Sequence, residues 1–205
     1  MNSEKPTAAA CYAKLDEAYQ FLNSALFEGT LPKCFINLQR HRLAVGYYAA
    51  RQFTGRHDPS EIAEIALNPN TFVAQTELEI LSTLAHEMAH CWQYHFGRPG
   101  RRGYHNREWA KKMPEIGLHP STTGQPGGDE TGERVSHYIL PGGKFQMAAE
   151  NFLRSSGFQI DWQSKPSNHG RNKQKFSCLR CEQSAWAKPS TKLICGICQR
   201  PMDRC

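Results

Sequence analysis

The chain has 205 residues, 39% hydrophobic and 10% aromatic, which excludes wholesale disorder and allows one medium domain with an appendage. No run approaches the ~18 apolar residues that span a bilayer. The N-terminus lacks an apolar signal core, so a cytoplasmic or nucleoid (nuclear) rather than secreted protein is expected. The formal charge of +6 is uneven: residues 165–205 hold nine Lys and Arg against two acids, +7, leaving −1 for residues 1–164. Such a basic tail points to a polyanion partner, DNA foremost, with single strands favoured.

The elements follow in chain order. Leu15, Ala18, Tyr19, Leu22 and Leu26 have helical spacing over 8–28, and Gly29 and Pro32 end that helix. Three β-like runs cover 35–38, 45–53 and 61–67. In the second, Val45, Tyr47, Ala49, Arg51 and Phe53 alternate onto one side. A long helix is predicted over 75–96 and a second over 106–116, bent or ended by Pro114. Residues 119–133 read as loop, 134–140 as a strand and 145–153 as a helix. The stretch 163–175 has no hydrophobic residue type and reads as a linker.

The first chemical motif is His86-Glu87-Met88-Ala89-His90, of the form H-E-x-x-H. At about 100° per residue, His90 falls about 40° from His86 and Glu87 about 100° away. The two imidazoles share one helix face, while Leu81, Leu84, Met88 and Trp92 point toward the body. Two neutral imidazoles on one face can share a Zn²⁺ ion, and a third ligand leaves the fourth position for water. Glu87 beside that water can take its proton.

The third ligand sets the class. The metzincin continuation needs a glycine and a histidine where this chain has Gln93 and Phe96, so that class is excluded. His105 is the favoured candidate, with Glu108, one helical turn further on, as the rival.

These residues resemble the SprT-like, or Spartan, metalloprotease family over about residues 10–118. The resemblance is carried by Ala25-Leu26-Phe27, Leu31-Pro32, Ile65-Ala66-Leu67-Asn68-Pro69 and the run Leu81 to His90. His105 stands where the family has its third zinc-binding histidine, in the pattern H-G-x-x-[FW]. Asn106 replaces that glycine and Trp109 keeps the aromatic. The resemblance implies a compact α+β zincin (minigluzincin-like) domain with a small sheet over the catalytic helix. It also implies peptide-bond hydrolysis, with DNA-associated or DNA-crosslinked proteins as substrates.

A second motif closes the chain. Cys178, Cys181, Cys195 and Cys198 form two C-x₂-C pairs, the spacing of a closed tetrahedral Zn²⁺ site. Two zinc ions are therefore expected, one catalytic and one structural. About 28 residues cannot build a core unaided, so metal would supply the folding energy. Phe176, Trp186 and Ile194 are the expected mini-core. Lys175, Arg180, Lys188 and Lys192 surround this ribbon, with Trp186 also available to stack on a base. A second basic stretch has Arg98, Arg101, Arg102, Arg107, Lys111 and Lys112 against Glu108 alone, where Arg101 and Arg102 are the chosen phosphate contacts.

Cys91 should be a buried thiol and Cys205 a free one. His41, His57 and His169 have no partner pattern and read as surface residues. His119, His137 and Tyr138 follow the helices, and His137 and Tyr138 are candidate oxyanion donors. The resulting organisation is a protease domain at 8–162, a linker at 163–175 and a Cys₄ ribbon at 176–205. The alternative is a non-catalytic nucleic-acid-binding or transcription-associated adaptor on a zincin scaffold, against which the intact Glu87 argues.

Overall fold

The computed structural model of the chain describes residues 6–165 and 173–205. Two compact units meet in sequence between Ser164 and Lys165. The expected linker falls mostly outside the described residues, as does His169. Its last two residues, Gln174 and Lys175, instead open a strand. No helix among the described residues is long and apolar enough to cross a membrane.

The first unit is mixed α+β. Helix α1 (Ala8–Phe27) begins where Thr7 Oγ1 accepts from Ala10 N, and ends on Glu28 in the left-handed conformation. Asn23 clamps the next turn: its amide donates to Leu31 O and accepts from Leu31 N. Strands β1 (Cys34–Leu38), β2 (Gly46–Thr54) and β3 (Glu61–Leu67) form a sheet in the order β1-β3-β2. β1 runs parallel to β3 and β2 antiparallel. The alternation expected along 45–53 is broken, because the register slips between Ala49 and Phe53 and Arg51 takes φ 49°.

Helix α2 (Glu77–Phe96) carries the H-E-x-x-H motif. A capping box sets its start: Thr76 Oγ1 accepts from Glu79 N, and Glu79 Oε2 accepts from Thr76 N. Helix α3 (Arg107–Glu115) follows, with Pro114 in its last turn. Residues 119–121, expected as loop, belong to β4 (Leu118–Ser121), paired antiparallel with β5 (Ser136–Ile139). Four residues with a central proline are extended here because of their partner, not their own propensity. Helix α4 (Lys144–Ser156) completes the unit.

The core lies between the inner face of the sheet and the helices. β3 turns Ile65 and Leu67 inward, where Leu15, Tyr19 and Leu22 of α1, Leu81, Leu84 and Met88 of α2, and Phe145 of α4 are fully buried. Truncating one of these leucines to alanine costs about 2–5 kcal/mol. Phe96, the last residue of α2, is exposed.

The second unit is a three-stranded antiparallel sheet, β7-β6-β8, of β6 (Gln174–Ser177), β7 (Ser184–Ala187) and β8 (Asp203–Arg204). Its interior corrects one expectation. Phe176 is buried, but Trp186 is 62% and Ile194 68% exposed. Trp186 lies opposite Lys175 and Ala185 opposite Phe176, so the side-chain alternation puts the indole outside.

Candidate metal centres and active site

Helix α2 is pressed against the start of β2 at Gly46. A Cβ there would lie 3.0 Å from Thr83 Cγ2 and 3.1 Å from both Glu87 Oε1 and Ala66 O. Only glycine allows the strand this close to the helix. Glu87 is thereby closed off to 5% exposure, and burial pushes its carboxyl up to about 8, against the Tyr48 backbone N–H, which pulls it down.

His86 and His90 sit one turn apart on α2, with ring centroids 5.2 Å apart. His105 arrives from the loop before α3. It is held by a two-bond clasp, His105 N donating to Gly132 O at 2.8 Å and Gly132 N to His105 O at 3.1 Å. Its Nδ1 lies 3.2 Å from the same Gly132 carbonyl, which can only accept, so Nδ1 carries the proton and Nε2 is bare. Gly132 has φ 139°, a conformation that favours glycine. Asn106, in place of the family's glycine, is the N-cap of α3: its Oδ1 accepts from Trp109 N and its Nδ2 donates to Arg98 O.

The three imidazoles converge. His86 Nε2 and His105 Nε2 are 3.4 Å apart, and one ligand atom from each of His86, His90 and His105 lies within 4.8 Å of the others. Trp109, fully buried, backs all three rings at centroid distances of 4.8, 5.1 and 4.4 Å. Burial holds the set neutral: His86 falls well below its ordinary value, His90 to about 3, and His105 also falls. Neutral nitrogens this close repel unless a cation lies among them. At 2.0–2.1 Å from a tetrahedral zinc, two nitrogens stand roughly 3.3–3.4 Å apart. The donor set thus fits zinc.

Glu108, the rival ligand, faces elsewhere. Its Oε2 accepts from Gln93 Nε2 at 2.9 Å and from Arg98 N at 2.6 Å, and these bonds, the Arg98 N–H first, pull its carboxyl below the ordinary range. His137 lies on β5 with both ring nitrogens engaged, Nδ1 3.0 Å from His86 Nδ1 and Nε2 2.9 Å from Ser82 Oγ. It has no N–H left for a substrate oxygen. Tyr138 stacks on His119 at 5.0 Å.

In the second unit one Sγ from each of Cys178, Cys181, Cys195 and Cys198 lies within 4.8 Å of the rest. The backbone N–H groups of Cys181 and Arg180 pull the Cys178 thiol down to about 7, as a turn built around a thiolate does. Four sulfurs closed on one another suit a structural zinc. Lys175, Arg180, Lys188 and Lys192 are exposed around them, and Cys205 is an exposed thiol.

The basic stretch is less free than its composition implies. Arg101 pairs with Glu133 at 2.5 Å and lies over the Tyr104 ring. Lys112 pairs with Glu115 and lies over Trp92 at 4.7 Å. Arg102 is exposed. Cys91 is fully buried, while His41 and His57 are at the surface.

Four residues, Asn68, Ser82, Gln93 and Gly132, support the site in roles that their sequence context does not announce. Asn68 Nδ2 donates to His41 O and Ala44 O, fixing the loop before β2. Buried polar types inside apolar runs were the one hint available.

The "Uncharacterized protein in mucB 3'region" of Salmonella typhimurium is 41% identical over 54 residues, 26% of this chain and 73% of that protein. No solved structure matches. The family model of the SprT-like family matches residues 15–126, a span that takes in the first sheet, α2, His105, α3 and β4, and the chain belongs to the SprT-like family.

Proposed function

We propose that the chain is a zinc-dependent endopeptidase of the zincin type, acting on DNA-associated or DNA-crosslinked proteins. SprT-like membership suggests a zinc metallopeptidase-like function in general. The observation that carries the finer reading is the convergence of three neutral imidazole nitrogens, with a buried acidic side chain, Glu87, on the same helix next to His86 and outside the cluster.

His86, His90 and His105 would hold the catalytic zinc and the four cysteines a structural one. Bound there, zinc supplies Lewis-acid polarisation and lowers the pKa of water. Glu87 takes the proton of the attacking water at its carboxylate. Water oxygen bonds to the peptide carbonyl carbon, Glu87 delivers the proton to the amide nitrogen, and the C–N bond breaks. Burial holds the metal-free carboxyl above its ordinary range, and a cation bound at the neighbouring histidines would draw it down toward the carboxylate that takes the proton. The exposed Trp186, with Lys175 opposite it, supports a nucleic-acid role for the second unit through stacking and phosphate contact.

The test is incubation of the zinc-loaded protein with a protein crosslinked to single-stranded DNA, with and without the DNA. Cleavage by wild type and none by Glu87→Gln is expected. Binding without cleavage by both would overturn the reading in favour of a non-catalytic adaptor.

A further inference from the structure

Zinc-binding imidazoles work only in the right tautomer, and His86 sits in a hydrogen-bond chain that can run in only one satisfactory direction. The chain has three links. Ser82 Oγ lies 2.8 Å from Glu79 O, His137 Nε2 lies 2.9 Å from Ser82 Oγ, and His137 Nδ1 lies 3.0 Å from His86 Nδ1. The first link sets the rest. A carbonyl oxygen cannot donate, so the Ser82 hydroxyl gives its proton to Glu79 O. Ser82 Oγ is then an acceptor toward His137, whose Nε2 must carry the proton. In a neutral imidazole the other nitrogen, Nδ1, is bare. It therefore accepts, and the proton between the two rings belongs to His86 Nδ1. His86 Nε2 is left with its lone pair toward His105. The opposite direction would leave two oxygens 2.8 Å apart with no proton between them and put a proton on the nitrogen that zinc needs.

We propose that His137 is a positioning residue that locks His86 in the Nδ1–H tautomer before any metal arrives, by relaying a one-way hydrogen-bond chain back to the Glu79 carbonyl of the same helix. The proposal rests on the metal reading of His86, His90 and His105. It concerns the orientation of a ligand and involves no contact with substrate. His137 belongs to β5, so the strand paired with β4 holds the metal helix in its working state. His105 reaches the same state through the Gly132 carbonyl. Partners of this kind commonly change metal affinity 10–100-fold when removed.

The experiment is long-range ¹H–¹⁵N correlation NMR of histidine-labelled full-length protein, metal-free and zinc-loaded at pH 7.5, together with zinc affinity by chelator competition. Wild type should show His86 with Nδ1–H and His137 with Nε2–H in the metal-free state. His137→Phe should mix the His86 tautomers and weaken zinc at this site about 10–100-fold. His137→Gln, whose amide can both accept and donate, should recover most of the affinity. Ser82→Ala, which removes the chain's far end without touching His137, should mix the His137 tautomers and weaken zinc less. A metal-free wild type with Nε2–H on His86 overturns the proposal. So does a folded His137→Phe variant with wild-type affinity. Should that variant fail to fold, the wild-type spectrum and Ser82→Ala still decide. A wild type that shows the tautomers but binds no zinc at these histidines would overturn the metal reading and uphold the lock.

Discussion

Gln93 Nε2 donates to Asn106 Oδ1 at 2.6 Å, and this contact joins the helix of His86 and His90 to the residue next to His105. The same Gln93 amide reaches Glu108 at 2.9 Å, and the side chain is only 2% exposed. Three histidines from two segments can converge only if the segments keep their distance, and Gln93 sets it.

Gln93→Ala should therefore cost about 1–3 kcal/mol in thermal or denaturant unfolding, because Asn106 and Glu108 lose a buried donor. Zinc retention at the histidines should fall with it. Gln93→Glu should be worse, since a carboxylate would face Glu108. Unchanged stability and zinc content in Gln93→Ala would refute the role.

Zinc content separates the two candidates for third ligand. The purified chain should carry two equivalents by elemental analysis. His105→Ala should bring this to about one, and Glu108→Ala should leave two, since its carboxylate serves Gln93 and the Arg98 N–H. The reverse pattern would make Glu108 the ligand.

The pH dependence of the metal-free protein has a definite sign. Burial raises the Glu87 carboxyl from its ordinary value near 4.5 to about 8, so between those values the folded state holds a proton there that the unfolded chain has lost. Its contribution is full below about 4.5 and is lost as pH rises through about 8. His90 is lowered to about 3, so its contribution is full above about 6.5 and is lost as pH falls toward 3. Glu87→Gln removes only the first effect. The melting temperature of Glu87→Gln relative to wild type should climb between pH 5 and 8. A constant difference across that range would show that Glu87 is not held protonated by burial.

Removing residues 165–205 takes away +7 by sequence together with Trp186. All three histidines and Glu87 remain, so cleavage of a small unfolded substrate should persist. Affinity for single-stranded DNA should fall, and log K against log[salt] should flatten by about 0.7 per lost phosphate contact. Trp186→Ala alone should weaken binding by about 1–3 kcal/mol if a base stacks there. Equal affinities and slopes for full-length and truncated protein would assign the ribbon another task.

Both candidate metal clusters can be read from the sequence because their signals are local: i and i+4 on a helix, and two C-x₂-C pairs. The supports cannot, because each joins distant residues: Gln93 to Asn106 across 13 positions, His105 to Gly132 across 27 and His137 to Ser82 across 55. β4 escaped notice for the same reason, since its extended form comes from pairing with β5. The size of Trp186 suggests core, but its register places it with Lys175, outside. In the sequence His137 reads as a candidate oxyanion donor, yet which of its nitrogens carries the proton depends on Ser82 and His86, and no spacing rule carries that.

The clasp between His105 and Gly132 has a consequence for how such a chain can vary in length. His105 lies in the loop before α3 and Gly132 in the connection between β4 and β5, while Gly127, further out in that connection, has nothing within 4 Å of a Cβ placed there. Extra residues there should be absorbed as a longer arm. A single residue added between Gly132 and Val135, or between Asp129 and Gly132, would bring a different carbonyl opposite His105 and disturb the ligand without touching any of the three histidines. Related chains should therefore differ freely in the middle of this arm and hardly at all in the count of residues near its root.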